Sequence, residues 1–473
     1  VSDDLCKLSA VDLVAAYADG SVSPVEVTQA ALKRINSHNQ VYNAFCLIDD
    51  EGALVSAKQS EKRWRQGTPQ GRIDGVPVTV KDLVLAKDWP TQRGSRTSDR
   101  SQLSPEDAPA VARLREHGAV ILGKTTTPEY GWKGVTDSPL TGITRNPWNP
   151  DHTPGGSSGG AAVAALCGMG PLHIGTDGGG SVRIPASFSG IFGLKANFGR
   201  VPVYPASPFG TLSHLGPMTR TVADAALMLT VMAEPDPRDA FELPYEGRDY
   251  SAVLEAGIAG LHVAYSPDLG YATVDPEVAE LVAAAAQSFA DLGVEVEQVD
   301  PGFENPQDIF RSHWYAGAAH ILRAMTPAQR ELVDPGLQTV AAWGEAFSLK
   351  DYMNGALARS ALAVTMRKFH QKYDLLLTPT MPTPAFSLGA DSPIGPNGSS
   401  WDDHSPFTYP FNLTGQPAAT LPCGFTSKGL PVGLQIVGRN YDEANVLRAA
   451  YAYEAAHPEH RKVFELGAAK LNI

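Results

Sequence analysis

From Ser9 to Ala455, segments of helical spacing alternate with short β-branched runs, and that alternation confines the chain to an α/β layered fold. Ser9 caps a first helical segment that ends at Gly20. Ser23-Pro24-Val25-Glu26 reads as a second start, with Ser23 as cap, Pro24 at the first helical position and Glu26 closing a capping box. The first sixty residues read as helical. Residues 76–81 alternate as a strand whose end delivers Lys81. Residues 108–117 form a helical pattern stopped by Gly118, and 119–122 a short buried strand. A small-residue helix at 161–169 precedes a strand at 172–175. Amphipathic helices follow at 221–232 and 276–292, the second leading into a Val-Glu-Val-Glu strand. Residues 312–372 read as mostly helical, 375–377, 418–419 and 430–437 as strands, and 442–455 as a final helix. The stretches 234–249 and 389–400 read as surface loops. Neither has the length or composition of an interdomain linker, and no internal repeat is visible.

The formal charge is −13 and the isoelectric point near 5.4, which argues against a nucleic-acid or anionic-membrane surface. No apolar run approaches the ~20 residues that span a bilayer. Cys6, Cys46, Cys167 and Cys423 are far apart and read as reduced thiols. The first residues lack a basic, then apolar, leader pattern. Together these point to a soluble, cytoplasmic protein.

Two serines sit in glycine-rich runs. One is Pro154-Gly-Gly-Ser157-Ser158-Gly-Gly160 and the other Gly175-Thr-Asp177-Gly178-Gly179-Gly180-Ser181-Val-Arg183. Glycine lets a substrate come close to a hydroxyl and lets several backbone N–H groups converge on one point, as an oxyanion requires. Two other motifs mislead. Gly118-Ala-Val-Ile-Leu-Gly123-Lys124-Thr125 matches a P-loop, but a helix precedes it and its variable positions are apolar strand residues. Gly155-x-Ser157-x-Gly159 matches the nucleophile elbow of an esterase, but a proline-broken loop precedes it and His214, His370 and His404 lie in no telling context. No metal-ligand motif is present, and no metal or cofactor is expected.

A serine hydroxyl needs a base to take its proton. Without a placed histidine, the candidates are carboxylates or a neutral lysine. Lys81 stands out because lysine is rarely buried at the end of an apolar strand, although most strand-end lysines face water.

The two serine runs and the Gly-Leu-Lys195 that follows resemble the amidase signature family of Ser-Ser-Lys hydrolases. The resemblance extends to Val-Pro-Val-Thr-Val-Lys81-Asp, Gly123-Lys-Thr-Thr-Thr-Pro-Glu129, Asn146-Pro-Trp-Asn149, Leu215–Asp224 and Pro431-Val-Gly-Leu-Gln435, in the family's order. Ser189 stands where the family often has cysteine, and Gly178 where threonine is common. The resemblance implies one domain over 1–473, a central mixed β-sheet covered by helices on both faces. Within it, 1–65 is a helical segment, 75–225 the catalytic core, 270–372 a mostly helical substrate-side region, and 373–473 the strands and helix that complete the sheet. It implies Ser181 as nucleophile, Ser157 as proton relay and Lys81 as base. The backbone N–H groups of Gly178, Gly179, Gly180 and Ser181 would form the oxyanion hole, and the Gly156–Ser157 peptide would be cis. Ser158, Asp177 and Arg183 read as support, the last two as a charge pair that clamps the loop. Tyr130, Trp132, Trp314, Trp343 and Trp401 are candidates for the acyl pocket. The implied activity is hydrolysis of a primary amide, anilide or hydrazide. The alternatives are the glutaminase subunit of a tRNA-dependent amidotransferase, the esterase, and a non-catalytic scaffold. A homodimer is the expected assembly.

Overall fold

The capping signals start the helices they announce. Ser9 and Ser23 each accept a hydrogen bond from the N3 amide while their own N–H donates to the N3 carboxylate, and Gly20 ends the first helix with φ 75°. A computed structural model describes residues 3–393 and 400–459, so part of the 389–400 loop lies outside the described residues. In chain order the elements begin with helices α1 (Ala10–Asp19) and α2 (Pro24–Tyr42), strand β1 (Phe45–Ile48), α3 (Asp50–Arg65), β2 (Pro77–Lys81), α4 (Pro109–Glu116) and β3 (Val120–Thr125). The short pair β4 (Asp137–Ser138) and β5 (Gly142–Ile143) precedes α5 (Gly159–Leu166), β6 (Leu172–Asp177), α6 (Arg183–Ser189), β7 (Phe192–Lys195), β8 (His214–Thr219) and α7 (Val222–Met232). Then come β9 (His262–Tyr265), α8 (Pro276–Asp291), β10 (Glu295–Gln298), α9 (Gln307–Arg323), α10 (Pro327–Arg330), α11 (Pro335–Glu345) and α12 (Leu349–Phe369). The last are β11 (Leu375–Pro379), α13 (Tyr409–Leu413), β12 (Ala418–Phe425), β13 (Pro431–Gly438) and α14 (Glu443–Ala456).

Eleven strands form one mixed sheet in the order β1-β3-β2-β6-β8-β7-β12-β13-β11-β9-β10. β2 runs parallel to both β3 and β6, while β6 pairs antiparallel with β8. Alternation along each strand sends residues to opposite faces. Val78, Val80, Leu375, Leu377, Leu434 and Ile436 join the largest apolar cluster, whereas Leu376 and Val437 belong to another. The sheet is therefore packed on both sides, and Lys81 points away from the face that Val78 and Val80 bury.

One expectation needs correction. The first sixty residues are not all helical, because β1 interrupts them. With four residues, Phe45 buried and the other three half-buried, paired antiparallel to β3, it is too short to show a period. β7, β8 and β9 were also not apparent from pattern, since Phe-Gly-Leu-Lys and His-Leu-Gly-Pro-Met-Thr carry glycine or proline inside a strand. The P-loop match is part of β3. Lys124 is fully buried there, 3.1 Å from Asp82, and donates to Thr91 Oγ1 at 2.6 Å.

Candidate active site

β2 ends with Lys81 fully buried beneath the first serine run. Its Nζ lies 2.6 Å from Ser157 Oγ, 2.9 Å from Ser158 Oγ and 2.8 Å from Thr176 Oγ1. Burial pushes the amine well below the ordinary lysine value, against an opposing pull from Asp177. Among the described residues no carboxylate pairs with it, and the adjacent Asp82 engages Lys124. The Ser158 hydroxyl proton can be assigned from its neighbours. Ser158 Oγ donates to Thr176 O at 3.1 Å and accepts the Thr176 N–H at 3.2 Å. Its contact with Lys81 therefore requires an N–H from the lysine. A neutral amine has two N–H bonds and one lone pair. With Ser158 taking one donor, the second N–H and the lone pair fall to Ser157 and Thr176, at 2.6 and 2.8 Å. Thr176 is the member of this cluster that sequence reasoning missed, although it stands within the glycine-rich run.

The Gly156–Ser157 peptide is cis. Ser157 and Ser181 are both almost fully buried and line one cavity of about 180 Å³. The backbone ties the two runs together, with Ser158 N–H donating to Ser181 O at 3.2 Å. Residues 154–158 are a loop, no strand leads into Ser157, and no histidine is hydrogen-bonded to it or to Ser181 among the described residues. The local structure thus lacks what an esterase elbow requires.

The second run is shaped by a buried ion pair. Arg183 Nε and Nη2 each donate to Asp177 at 2.9 Å, and both side chains are fully buried. Burial alone would raise the Asp177 carboxyl, but the guanidinium holds it well below the usual carboxylate range. Arg183 also reaches Thr408 O at 2.9 Å, Gln435 Oε1 at 2.8 Å and Asn412 Oδ1 at 2.7 Å. Every hydrogen-bonding group of the pair is engaged, as a buried pair demands. Asp177 in turn accepts the Gly180 N–H at 2.8 Å and the Val182 N–H at 3.2 Å. That corrects the expected oxyanion set, since the Gly180 amide is already spent on the clamp. The Gly178, Gly179 and Ser181 amides have no acceptor among the described residues. At Gly179 a Cβ would come within 2.8 Å of both Phe310 and Trp401, so only glycine fits between these rings and the turn.

The cavity wall is mostly apolar. Leu83, Val84, Leu85, Val203, Phe209 and Trp314 line it, and Tyr130 joins them with its hydroxyl on Thr97 Oγ1 at 3.0 Å. Trp314 stacks on Phe209 with centroids 3.9 Å apart. Of the expected aromatic candidates, Tyr130 and Trp314 reach the cavity. Trp401 stands behind Trp314, 5.4 Å away edge-on, and Trp132 supports it through a backbone carbonyl that accepts the Trp314 indole N–H at 3.1 Å. Trp343 is half exposed on α11. The loop at 203–209 went unnoticed because proline-rich sequence carries no period.

The amidase family profile matches residues 26–447. The chain belongs to the amidase family. Its similarity to an acylamidase of Rhodococcus erythropolis is 37% identity over 95% of this chain and 96% of that one. It is also 36% identical to a glutamyl-tRNA(Gln) amidotransferase subunit of Myxococcus xanthus, over 97% and 99% of the two chains. The crystal structure of a bacterial aryl acylamidase superposes with a TM-score of 0.91 at 30% identity, covering 98% of each chain. This amidase is accordingly a hydrolase of carbon–nitrogen bonds, built as one domain on the mixed sheet. Among the described residues, no helix is long and apolar enough to cross a membrane.

Proposed function

We propose that this amidase cleaves an acyl–nitrogen bond of a primary amide, anilide or hydrazide through an acyl-Ser181 intermediate. The observation that carries the proposal is a fully buried, carboxylate-free lysine amine 2.6 Å from Ser157 Oγ, in a cavity that Ser181 also lines. Ser181 Oγ bonds to the carbonyl carbon and gives its proton to Ser157, which passes its own to the neutral Lys81. The proton returns by the same route to the leaving nitrogen as the C–N bond breaks. Water then attacks the ester, with the relay again taking and returning one proton, and releases carboxylate. The free amides of Gly178, Gly179 and Ser181 receive the oxyanion, each worth about 2.7–4 kcal/mol of barrier. The Phe209–Trp314 wall favours an aryl or other apolar acyl group.

The test is a panel of primary amides, anilides and hydrazides with detection of ammonia or amine. Lys81→Ala and Ser181→Ala should abolish turnover, and a fluorophosphonate should label Ser181. Near-normal rates for Lys81→Ala at neutral pH, or labelling at Ser157, would overturn the assignment. The likeness to amidotransferase subunits supports a second reading, a glutaminase that delivers ammonia to a partner. Ammonia release from glutamine, with no turnover of the panel, would select it. The proposed setting is the cytoplasm, in keeping with four cysteines in the reduced form, and the proposed assembly is a homodimer.

A further inference from the structure

Two residues that line the catalytic cavity, Arg93 and Tyr130, have left-handed backbones, with φ 55° and 52°. Outside glycine such backbones are uncommon, and they persist where the surrounding fold holds them. Here they hold each other, since the Tyr130 N–H donates to Arg93 O at 2.8 Å. The two segments pack closely, because a Cβ on Gly94 would stand 2.6 Å from Thr127 O. The strained pair sets a phenol and a half-buried guanidinium into one wall. Among the described residues that line the cavity, Arg93 is the one with a permanent charge. A guanidinium carries five N–H donors. One goes to Thr91 O at 3.1 Å, and among the described residues the others meet neither an acceptor nor a carboxylate. The carboxylates of the flanking segments are committed elsewhere. Asp82 lies 3.1 Å from Lys124 and accepts the Gln92 N–H at 3.2 Å. Glu129 accepts from Ser95 Oγ at 2.5 Å and from the Asp334 N–H at 2.6 Å. An open guanidinium fork in a mostly apolar wall is a means of orienting an anionic ligand.

Two glycines show which half of a substrate this fork meets. A Cβ on Gly131, next to Tyr130, would stand 3.2 Å from Ser157 Oγ, whereas one on Gly178 would stand 2.8 Å from the Trp314 ring. Arg93 and Tyr130 therefore belong to the side of the relay serine, and Trp314 to the side of the oxyanion turn. In the relay Ser157 returns its proton to the leaving nitrogen, so the leaving amine lies on the Arg93 side. We propose that Arg93 binds a carboxylate carried by the leaving amine, which makes the preferred substrate an N-acyl amino acid with an apolar acyl group. The assignment rests on the amidase reading above and names its substrate class. The acyl group packs on the Phe209–Trp314 wall while the planar fork takes both carboxylate oxygens. The bond broken is still the acyl C–N bond. Water adds across it, and the products are a carboxylate and a free amino acid. Arg93 touches no reacting atom and acts as a specificity residue.

Steady-state kinetics with benzoate release as the readout tests this. N-benzoylglycine, N-benzoyl-β-alanine and N-benzoyl-4-aminobutyrate are compared with the uncharged N-benzoylpropylamine, so that the spacers scan the reach of the fork. At least one carboxylate should exceed the uncharged amide about tenfold or more in kcat/KM, the size of a charge-assisted hydrogen bond, and mainly through KM. Arg93→Gln should bring that ratio to within about twofold of unity, and Arg93→Lys, which keeps the charge without the fork, should retain part of it. The ratio is taken within one protein, so a partly misfolded variant leaves it unmoved. A wild type that favours none of the carboxylates, or a preference that survives Arg93→Gln, overturns the Arg93 assignment and leaves the amidase reading standing. Glutamine carries its carboxylate on the acyl half, and its turnover ahead of all four benzoyl amides overturns the placement on the leaving side. No turnover of these amides, nor of the primary amides, anilides and hydrazides, overturns both readings.

Discussion

Replacing Thr176 by valine removes one hydroxyl and almost no volume, and it tests whether the protons around Lys81 lie where the proposed relay needs them. In the proposed relay the two lysine N–H groups go to Ser158 and Thr176, 2.9 and 2.8 Å away, and the lone pair faces Ser157 at 2.6 Å. In Thr176→Val one N–H of a fully buried amine loses its acceptor, at a cost of about 1–3 kcal/mol. The amine can escape this cost by rotating that N–H onto Ser157 Oγ, but Ser157 then becomes an acceptor and loses its base. The competent orientation is left disfavoured by about the same 1–3 kcal/mol, so kcat should fall about 5- to 150-fold. The thermal midpoint should change little, because the rotated state is satisfied. A second effect has a definite sign. The Thr176 oxygen accepts from the amine and favours its protonated form, so its loss lowers the Lys81 pKa further. The acid limb of the kcat profile should move to lower pH while the plateau drops. Steady-state kinetics across pH with any substrate of the panel, together with a melting curve, reads both. A plateau within twofold of wild type and an unmoved acid limb would refute the proton assignment.

Other consequences are equally direct. In the wild type, activity should fall in acid as Lys81 takes up a proton. Because burial lowers its pKa, the plateau should extend well below the ordinary range of lysine titration. Arg183→Met leaves the Asp177 carboxylate buried and unpaired, and should cost about 3–5 kcal/mol at pH 7. In the wild type the depressed Asp177 pKa gives stability that is present above about pH 3.9 and lost as pH falls towards the folded value. In the variant the carboxyl pKa is raised instead, so the gap between the two melting temperatures should narrow on acidification. A gap that widens would contradict the buried-pair account. Trp314→Ala should raise KM for aryl-acyl substrates about tenfold or more through loss of the stacked wall. Trp132→Phe should lower the melting temperature with KM unchanged, since its ring stands outside the cavity.

The helix starts were legible because their cause is local. A serine, a proline and a glutamate at fixed spacing satisfy the orphan amides of the first turn wherever the helix then packs. The same holds for the ends at Gly20 and Gly118, both in the left-handed region. The short strands were not legible, since β1 and β9 are held by pairing with distant neighbours, and four residues carry no period. In the site, Ser157 and Ser181 stood out by their glycine-rich surroundings, whereas Lys81 as base came from the resemblance to the amidase signature family. The loss of Gly180 from the donor set could not. Its amide is taken by a carboxylate three residues earlier, and only the fold reveals which way that carboxylate turns. The aromatic candidates split for a related reason. Composition offered five rings, but whether a ring lines a cavity or stands behind it depends on contacts such as the indole of Trp314 on the backbone of Trp132, 182 positions apart.

The clamp formed by Arg183 and Asp177 also sets when the protein can first work. The guanidinium is held by Thr408, Asn412 and Gln435, which lie 225, 229 and 252 positions later in the chain. During synthesis the serine-bearing turn leaves the ribosome with none of these partners yet made. On the proposed mechanism the nascent chain carries Lys81, Ser157 and Ser181 long before the clamp can close, and it stays silent until the residues up to Gln435 have been translated.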